Sequence, residues 1–271
     1  MPIENQSSDS AQSRGESLRG QTVLVTRSAE QAGSLRERLE GLGAKVVVHP
    51  AIEIKPPANF SELDAGLADL IRDDSYQWVV FASGNGVKHF FDRMRQQDLS
   101  VDLLENRSVA AIGAATLAKL ETIGIEKVDS PAVSNSESLA ELIIDQAAGQ
   151  RVLIIRADRG SDELANRLKA ATIDFQEVVA YRSTDVKSAD PAVLKMISEG
   201  KVDWVTMTSS AIASSSIRLF GDAITNSAGK VKTVSISPRT SQAMRDLGFE
   251  PDAEAIDFNM AGIVAAMQDS E

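Results

Sequence analysis

One short pattern occurs twice in this chain. Trp78 to Val87 reads Trp-Val-Val-Phe-Ala-Ser-Gly-Asn-Gly-Val, and 126 positions later, from Trp204, the chain reads Trp-Val-Thr-Met-Thr-Ser-Ser-Ala-Ile-Ala. Each copy is an apolar, β-branched run headed by Trp, which suits a buried parallel strand, and each closes on Ser and small residues before a helical pattern. Val23, Leu24, Arg27, Leu35, Arg38 and Leu39 return as Val152, Leu153, Arg156, Leu164, Arg167 and Leu168, all displaced by 129. Ala111-Ile112-Gly113 with Ile123-Gly124 returns as Ser235-Ile236-Ser237 with Leu247-Gly248, displaced by 124. If Glu137–Ile144 is matched with Ala261–Gln268, four β-α units appear twice in the same order. The period is far longer than the roughly 20 to 50 residues of a solenoid, so the repeat is of a whole small domain. The expected fold class is α/β, with two similar lobes, each a parallel sheet flanked by helices.

Composition limits what such a fold can do. A chain of 271 residues with 43% hydrophobic residues is long enough for two cores. No apolar run reaches the roughly 18 residues that suggest a membrane span, and no signal-peptide core is present, so a soluble, cytoplasmic protein is expected. With zero cysteines, disulfides and thiol chemistry are excluded, and two histidines, His49 and His89, make a His-based metal centre a poor reading. A net charge of −11 opposes nucleic-acid binding. It also means that an anionic ligand has to be held by local donors rather than drawn by the overall field.

Such donors are at hand. A small-residue turn between a parallel strand and a helix leaves backbone N–H groups at the positive end of the helix dipole. Ser83-Gly84-Asn85, Gly113-Ala114, Ser209-Ser210 and Ser237 are four such turns, which otherwise serve only as tight turns and caps. Arg27 and Arg156 lie at equivalent strand ends, where each either binds a carboxylate or braces a neighbouring Asp or Glu. Thr116 and Thr240 stand at matched helix starts, for capping or for ligand contact, and Ser138 lies in the helix opening at Ser136. His89, beside Phe90, reads as a surface or packing residue, and His49 as a side chain of the hinge region. No Gly-x-Gly-x-x-Gly is present, so no dinucleotide fingerprint is read.

Met1 to about Gly20 is polar and aperiodic, which predicts a disordered tail. The segments at Pro50-Ala51-Ile52 and Val178-Val179-Ala180-Tyr181 are extended and equivalent by the repeat, so the chain is expected to cross between lobes twice. These two crossings are candidates to pair with each other.

Val-Leu-Val-Thr-Arg at 23–27, Phe-Ala-Ser-Gly-Asn-Gly-Val at 81–87, Ile-Gly-Ala-Ala-Thr at 112–116, Val-Val-Ala-Tyr-Arg at 178–182, Thr-Ser-Ser-Ala at 208–211 and Ile-Ser-Pro-Arg-Thr at 236–240 together resemble the uroporphyrinogen-III synthase family. The resemblance covers nearly everything after residue 20. Ala82, where the family often has Thr, and the polar helix face Ser214-Ser215-Ser216 depart from it. It implies two flavodoxin-like lobes joined by a two-stranded connector, one lobe built from residues 21–50 with 185–271, the other from 57–178, and connector strands 51–56 and 179–184. It also implies cyclisation of hydroxymethylbilane to uroporphyrinogen III, with loss of water and inversion of ring D, and without a metal or organic cofactor. Tyr181 is the expected catalytic residue, a phenol donating a hydrogen bond to the departing hydroxyl; the alternative is that it only packs. A monomer, with transient contact to the preceding pathway enzyme, is expected. Other readings of the same sequence are a non-catalytic two-lobed binder of a carboxylated small molecule and an interaction module derived from the fold.

Overall fold

The computed structural model describes residues 17–72 and 75–270. The chain divides into two compact units, Met1–Glu53 with Thr184–Glu271, and Ile54–Ser183. Each unit is built on its own five-stranded sheet.

The strands of the first unit are β1 (Thr22–Val25), β2 (Lys45–Val48), β8 (Trp204–Met207), β9 (Lys232–Ser235) and β10 (Ala253–Glu254). They lie in the order β10-β9-β8-β1-β2, and every neighbouring pair is parallel. Numbered within the unit this is 2-1-3-4-5, the flavodoxin-like order, whose switch point lies between β1 and β8. The second sheet holds β3 (Ile52–Lys55), β4 (Trp78–Phe81), β5 (Ser108–Ala111), β6 (Arg151–Ala157) and β7 (Asp174–Asp185) in the order β3-β7-β6-β4-β5. β4 through β7 pair in parallel, and a parallel bridge from Ala110 to Asp129 continues the sheet beyond β5. Bonds from Val186 N to Ala51 O, Thr184 Oγ1 to Glu53 O and Arg182 Nε to Pro56 O run in opposite chain directions, so β3 lies antiparallel to β7.

By the repeat, β1 matches β6, β2 matches β7, β4 matches β8 and β5 matches β9. Each copy of the repeat therefore contributes its first two strands to one sheet and its later strands to the other. The duplicated stretch of sequence is therefore not the folded unit.

Both faces of each sheet are covered. Val23 and Val25 pack with Leu35 and Leu39, while Leu24 between them packs with Met207 and Phe220. Val79 and Phe81 likewise face one cluster, and Trp78 and Val80 the other. Alternate strand residues point to opposite faces, so a strand covered on both sides must be apolar throughout. Trp78 is buried with its indole N–H donated to Gln150 Oε1 at 2.5 Å, so that buried donor is paired.

Residues 1–16 of the expected disordered tail lie outside the described residues. Its end is ordered: Ser17 to Gly20 form a turn, Leu18 is fully buried with Val23 and Leu39, and its N–H donates to Leu42 O at 3.1 Å. One leucine supplies enough apolar area, about 1.5 to 3 kcal/mol when buried, to hold that turn down. The Ser214-Ser215-Ser216 face is also not a solvated one. Ser215 and Ser216 are buried, and Ser215 Oγ donates to Asp185 Oδ1 at 2.5 Å.

The loop before the last helix, Met260–Gln268, passes so close to that helix that a Cβ on Gly262 would lie 2.0 Å from the Asp257 carbonyl oxygen. Gly262→Ala is expected to lower unfolding stability by about 1 to 3 kcal/mol, as overpacking does, measured by urea denaturation. Gly33→Ala, whose Cβ would meet open space on an exposed helix, serves as the control.

Candidate active site

All four small-residue turns follow the carboxyl ends of parallel strands, where ligands bind in this architecture. In the second unit, Ser83 caps the helix Gly84–Gln96, its Oγ accepting the Gly86 N–H at 3.0 Å. A cap of this kind leaves the remaining hydroxyl capacity free for one further strong bond. That bond is with Tyr181: the two oxygens are 3.0 Å apart.

Tyr181 reaches this position through an irregularity. β6 and β7 pair in regular register to Arg156 and Val179, and then Ala157 faces Tyr181, with Ala180 skipped. The extra residue turns Tyr181 into the same cluster as Val178 and Ala180, as a bulge re-aims a side chain. The following loop is stitched to it by Asp158 N to Tyr181 O at 3.1 Å and Ser183 N to Asp158 Oδ1 at 2.9 Å. Burial pushes the Tyr181 phenol above its ordinary value; hydrogen bonds from Ser83 and Asn85 oppose that rise and the charge of Asp158 adds to it. The phenol is therefore a proton donor across the neutral range. The His89 ring lies against it, centroids 5.6 Å apart and planes within 17°, so of the two expected roles, surface or packing, His89 takes the packing one.

A pocket of about 140 Å³ opens beside Tyr181, lined by Ser83, Arg156, Glu177, Ser136, Gly160 and Ser161 among others. Arg156 is already committed there. Its Nη1 donates to Glu177 Oε1 at 2.5 Å and its Nη2 to Asp162 Oδ1 at 3.0 Å. Burial opposes its charge, but those two bonds outweigh the cost and hold the guanidinium above its ordinary value. Gly160 lacks a side chain where a Cβ would meet Arg156 Nη2 at 3.0 Å.

In the first unit the turns at Arg27, Ser209 and Ser237 follow the adjacent strands β1, β8 and β9. Thr26 Oγ1 donates to Thr206 O at 2.6 Å and Ser210 Oγ to Arg239 O at 3.3 Å, which join them into one edge. Ser209 caps the helix Ser210–Thr225 through the Ile212 N–H, and Ser237 caps the helix Pro238–Arg245 through the Thr240 N–H. Arg27 differs from its repeat partner. Its Nη1 donates to Met260 Sδ at 3.0 Å, its Nε is buried without a partner, and among the described residues no carboxylate pairs with it. Burial alone lowers its basicity. The Thr208 hydroxyl on the next strand end is buried and unpartnered too.

Not every expected residue reaches a site in the expected way. Thr116 and Thr240 do not cap. Each is the third residue of its helix and is buried, and the caps are Gly113 and Ser237, because a cap needs non-helical backbone. Gly113, at φ +86°, offers only its backbone, and the Lys119 ammonium occupies Gly84 O at 3.2 Å. The Ser138 N–H is taken by Asn135 Oδ1 at 2.7 Å, while Ser136, two residues earlier, lines the pocket. Sequence reading passed over Ser136, Gly160, Ser161 and Glu177. Only the Gly-Ser pair before the helix Glu163–Ala170 carried a turn signal.

These features define a class: a duplicated, doubly wound α/β protein whose sheet edges carry hydroxyls, backbone N–H groups and, at Arg27, a guanidinium that pairs with no carboxylate among the described residues. The profile of the family described as HEM4, uroporphyrinogen-III synthase HemD, matches residues 33–265. The chain is 32% identical over 196 residues to the porphyrin biosynthesis protein HemD of Ruminiclostridium josui, covering 72% of this chain but only 38% of that protein. It is 26% identical over 260 residues to the uroporphyrinogen-III synthase of Synechococcus elongatus, covering 93% and 96% of the two chains. Similar folds occur in the uroporphyrinogen-III synthetase of Helicobacter pylori (TM-score 0.61, 16% identity, 93% and 100% covered) and in a mutant uroporphyrinogen III synthase of Thermus thermophilus (TM-score 0.61, 14% identity, 92% and 98% covered). The chain belongs to the uroporphyrinogen-III synthase family, enzymes of tetrapyrrole biosynthesis. No helix among the described residues is long and apolar enough to cross a membrane.

Proposed function

We propose that this chain cyclises hydroxymethylbilane to uroporphyrinogen III, and that Tyr181 supplies the proton with which the hydroxyl leaves. The observation that carries this reading is the buried phenol bonded to the helix-capping Ser83 hydroxyl. Gly86 N–H donates to Ser83 Oγ, and Ser83 in turn can donate to the phenolic oxygen, which directs the phenol proton outward. As the hydroxymethyl C–O bond breaks, that proton leaves with the hydroxyl as water. The pyrrole-stabilised cation is then attacked by a ring D carbon, and the proton released after inversion and closure returns to the phenolate. No nucleophile is required of the protein, so its main task is to hold the chain of rings in the productive shape.

The ligand carboxylates fit the turns at Ser83, Gly84, Asn85, Gly113, Ser209, Ser210 and Ser237, with Thr116, Thr240 and Ser138 contributing from the first turns of their helices. Arg27 is the cation we assign to a carboxylate, and Arg156 the one that braces its own unit. We read the chain as a cytoplasmic, cofactor-independent monomer that takes an unstable substrate from the preceding enzyme. Incubated with fresh hydroxymethylbilane, the protein is expected to give the type III isomer after oxidation and chromatography. Type I alone, the spontaneous product, would refute the synthase reading. Tight bilane binding with type I alone would identify a non-catalytic binder.

A further inference from the structure

We infer that His89 is a positioning residue for Tyr181, its ring forming one wall that holds the phenol against the Ser83 hydroxyl. The kinetic part of this inference rests on the proposed reaction. Its structural part does not.

Asn85 and His89 are four residues apart on the helix that Ser83 caps, and therefore share one face. With the cap, that face brings three groups to the Tyr181 side chain: the Ser83 hydroxyl at 3.0 Å, the Asn85 side chain, and the His89 ring at 5.6 Å. A separation of 5.6 Å with planes 17° apart is an offset stack, the arrangement that two such rings prefer. Without a wall there, the phenol on a bulged strand is free to turn about its side-chain torsions and lose the short bond to Ser83. The other charged groups near the phenol belong to β6, to the loop after it and to β7. Asp158 acts on it electrostatically, and Arg156 with Glu177 line the same pocket. His89 supplies the apolar face that those groups cannot.

The chain has two tyrosines and two histidines, which makes the contact readable by spectroscopy. In a Tyr76→Phe background the phenolate absorbance reports Tyr181 alone. His89→Ala is expected to let water onto the phenol and move its titration down toward about 10, the ordinary tyrosine value. His89→Phe is expected to keep it raised. In the NMR spectrum, Tyr181→Leu should move the His89 ring-proton signals and leave those of His49 in place. In the cyclisation assay, His89→Ala should lower kcat about 5- to 10-fold with KM nearly unchanged, and His89→Phe should restore it, because a positioning wall needs a ring but not a titrating nitrogen. Loss of activity in His89→Phe equal to that in His89→Ala would overturn the inference, as would unmoved His89 signals in Tyr181→Leu. The titration and NMR measurements use no substrate, so they stand or fall separately from the reaction assigned to the chain.

Discussion

Tyr181→Phe is expected to lower kcat for type III formation about 100-fold while KM stays within about twofold, since a positioned general acid contributes that order of acceleration. The substitution removes one oxygen and keeps the ring, so the stack on His89 and the burial in the β4-β6-β7 cluster persist. What is lost is the proton for the departing hydroxyl and the 3.0 Å bond to Ser83. Residual turnover is expected because holding the bilane in shape survives the change. The pH profile provides a separate check. Burial raises the phenol above its ordinary value, so the protonated donor persists through pH 9 and is lost only as pH rises through the shifted value. Wild-type kcat should thus show an alkaline decline above about pH 10, the ordinary tyrosine value, and Tyr181→Phe should show none. An alkaline decline retained in Tyr181→Phe would assign it to another group, and an unchanged kcat would leave the phenol a packing residue.

Arg27→Gln is expected to raise KM about 10- to 100-fold, the range for losing one charged hydrogen bond to a carboxylate, with unfolding stability unchanged within about 0.5 kcal/mol. Arg156→Gln should do the reverse. The two arginines are equivalent in the repeat, yet Arg156 is flanked by Glu177 at 2.5 Å and Asp162 at 3.0 Å, and Arg27 is flanked by a thioether. Removing Arg156 strands two carboxylates. Asp162 is mostly solvated and contributes little, but Glu177 is half-buried, so a loss of about 1 to 3 kcal/mol is expected by urea denaturation, with KM within about threefold. Removing Arg27 strands no acid and relieves a buried, unpartnered Nε. The pair of measurements decides whether the chain uses its repeated cation on both sheet edges or on one.

The strand cores were legible in the sequence. Trp78–Phe81, Trp204–Met207 and Thr22–Val25 are continuous apolar, β-branched runs, and only burial on both faces makes such runs stable. The apolar period announces the first buried residues, Val87 and Ile212, whereas the helices begin at Gly84 and Ser210, directly after their Ser caps. Of the site, the turns and Tyr181 were legible because small residues after a strand and a lone Tyr on an extended segment stand out. His89 was not, since a histidine beside Phe90 carries no sign of which ring it will meet.

The duplication, the α/β class and the positions of the small-residue turns followed from the sequence alone, because they depend on period and on local backbone chemistry. Three things were decided only in the tertiary structure. Parallel pairing of β1 with β8 and of β6 with β4 divided each repeat between two units, a division that the family resemblance implied but that no residue pattern in the chain itself shows. The skipped residue at Ala180 set which way Tyr181 points. The acids placed across from Arg156, and absent across from Arg27 among the described residues, made two identical residues unlike. Each depends on partners distant in the chain, and neither periodicity nor spacing encodes which distant partner a residue will find.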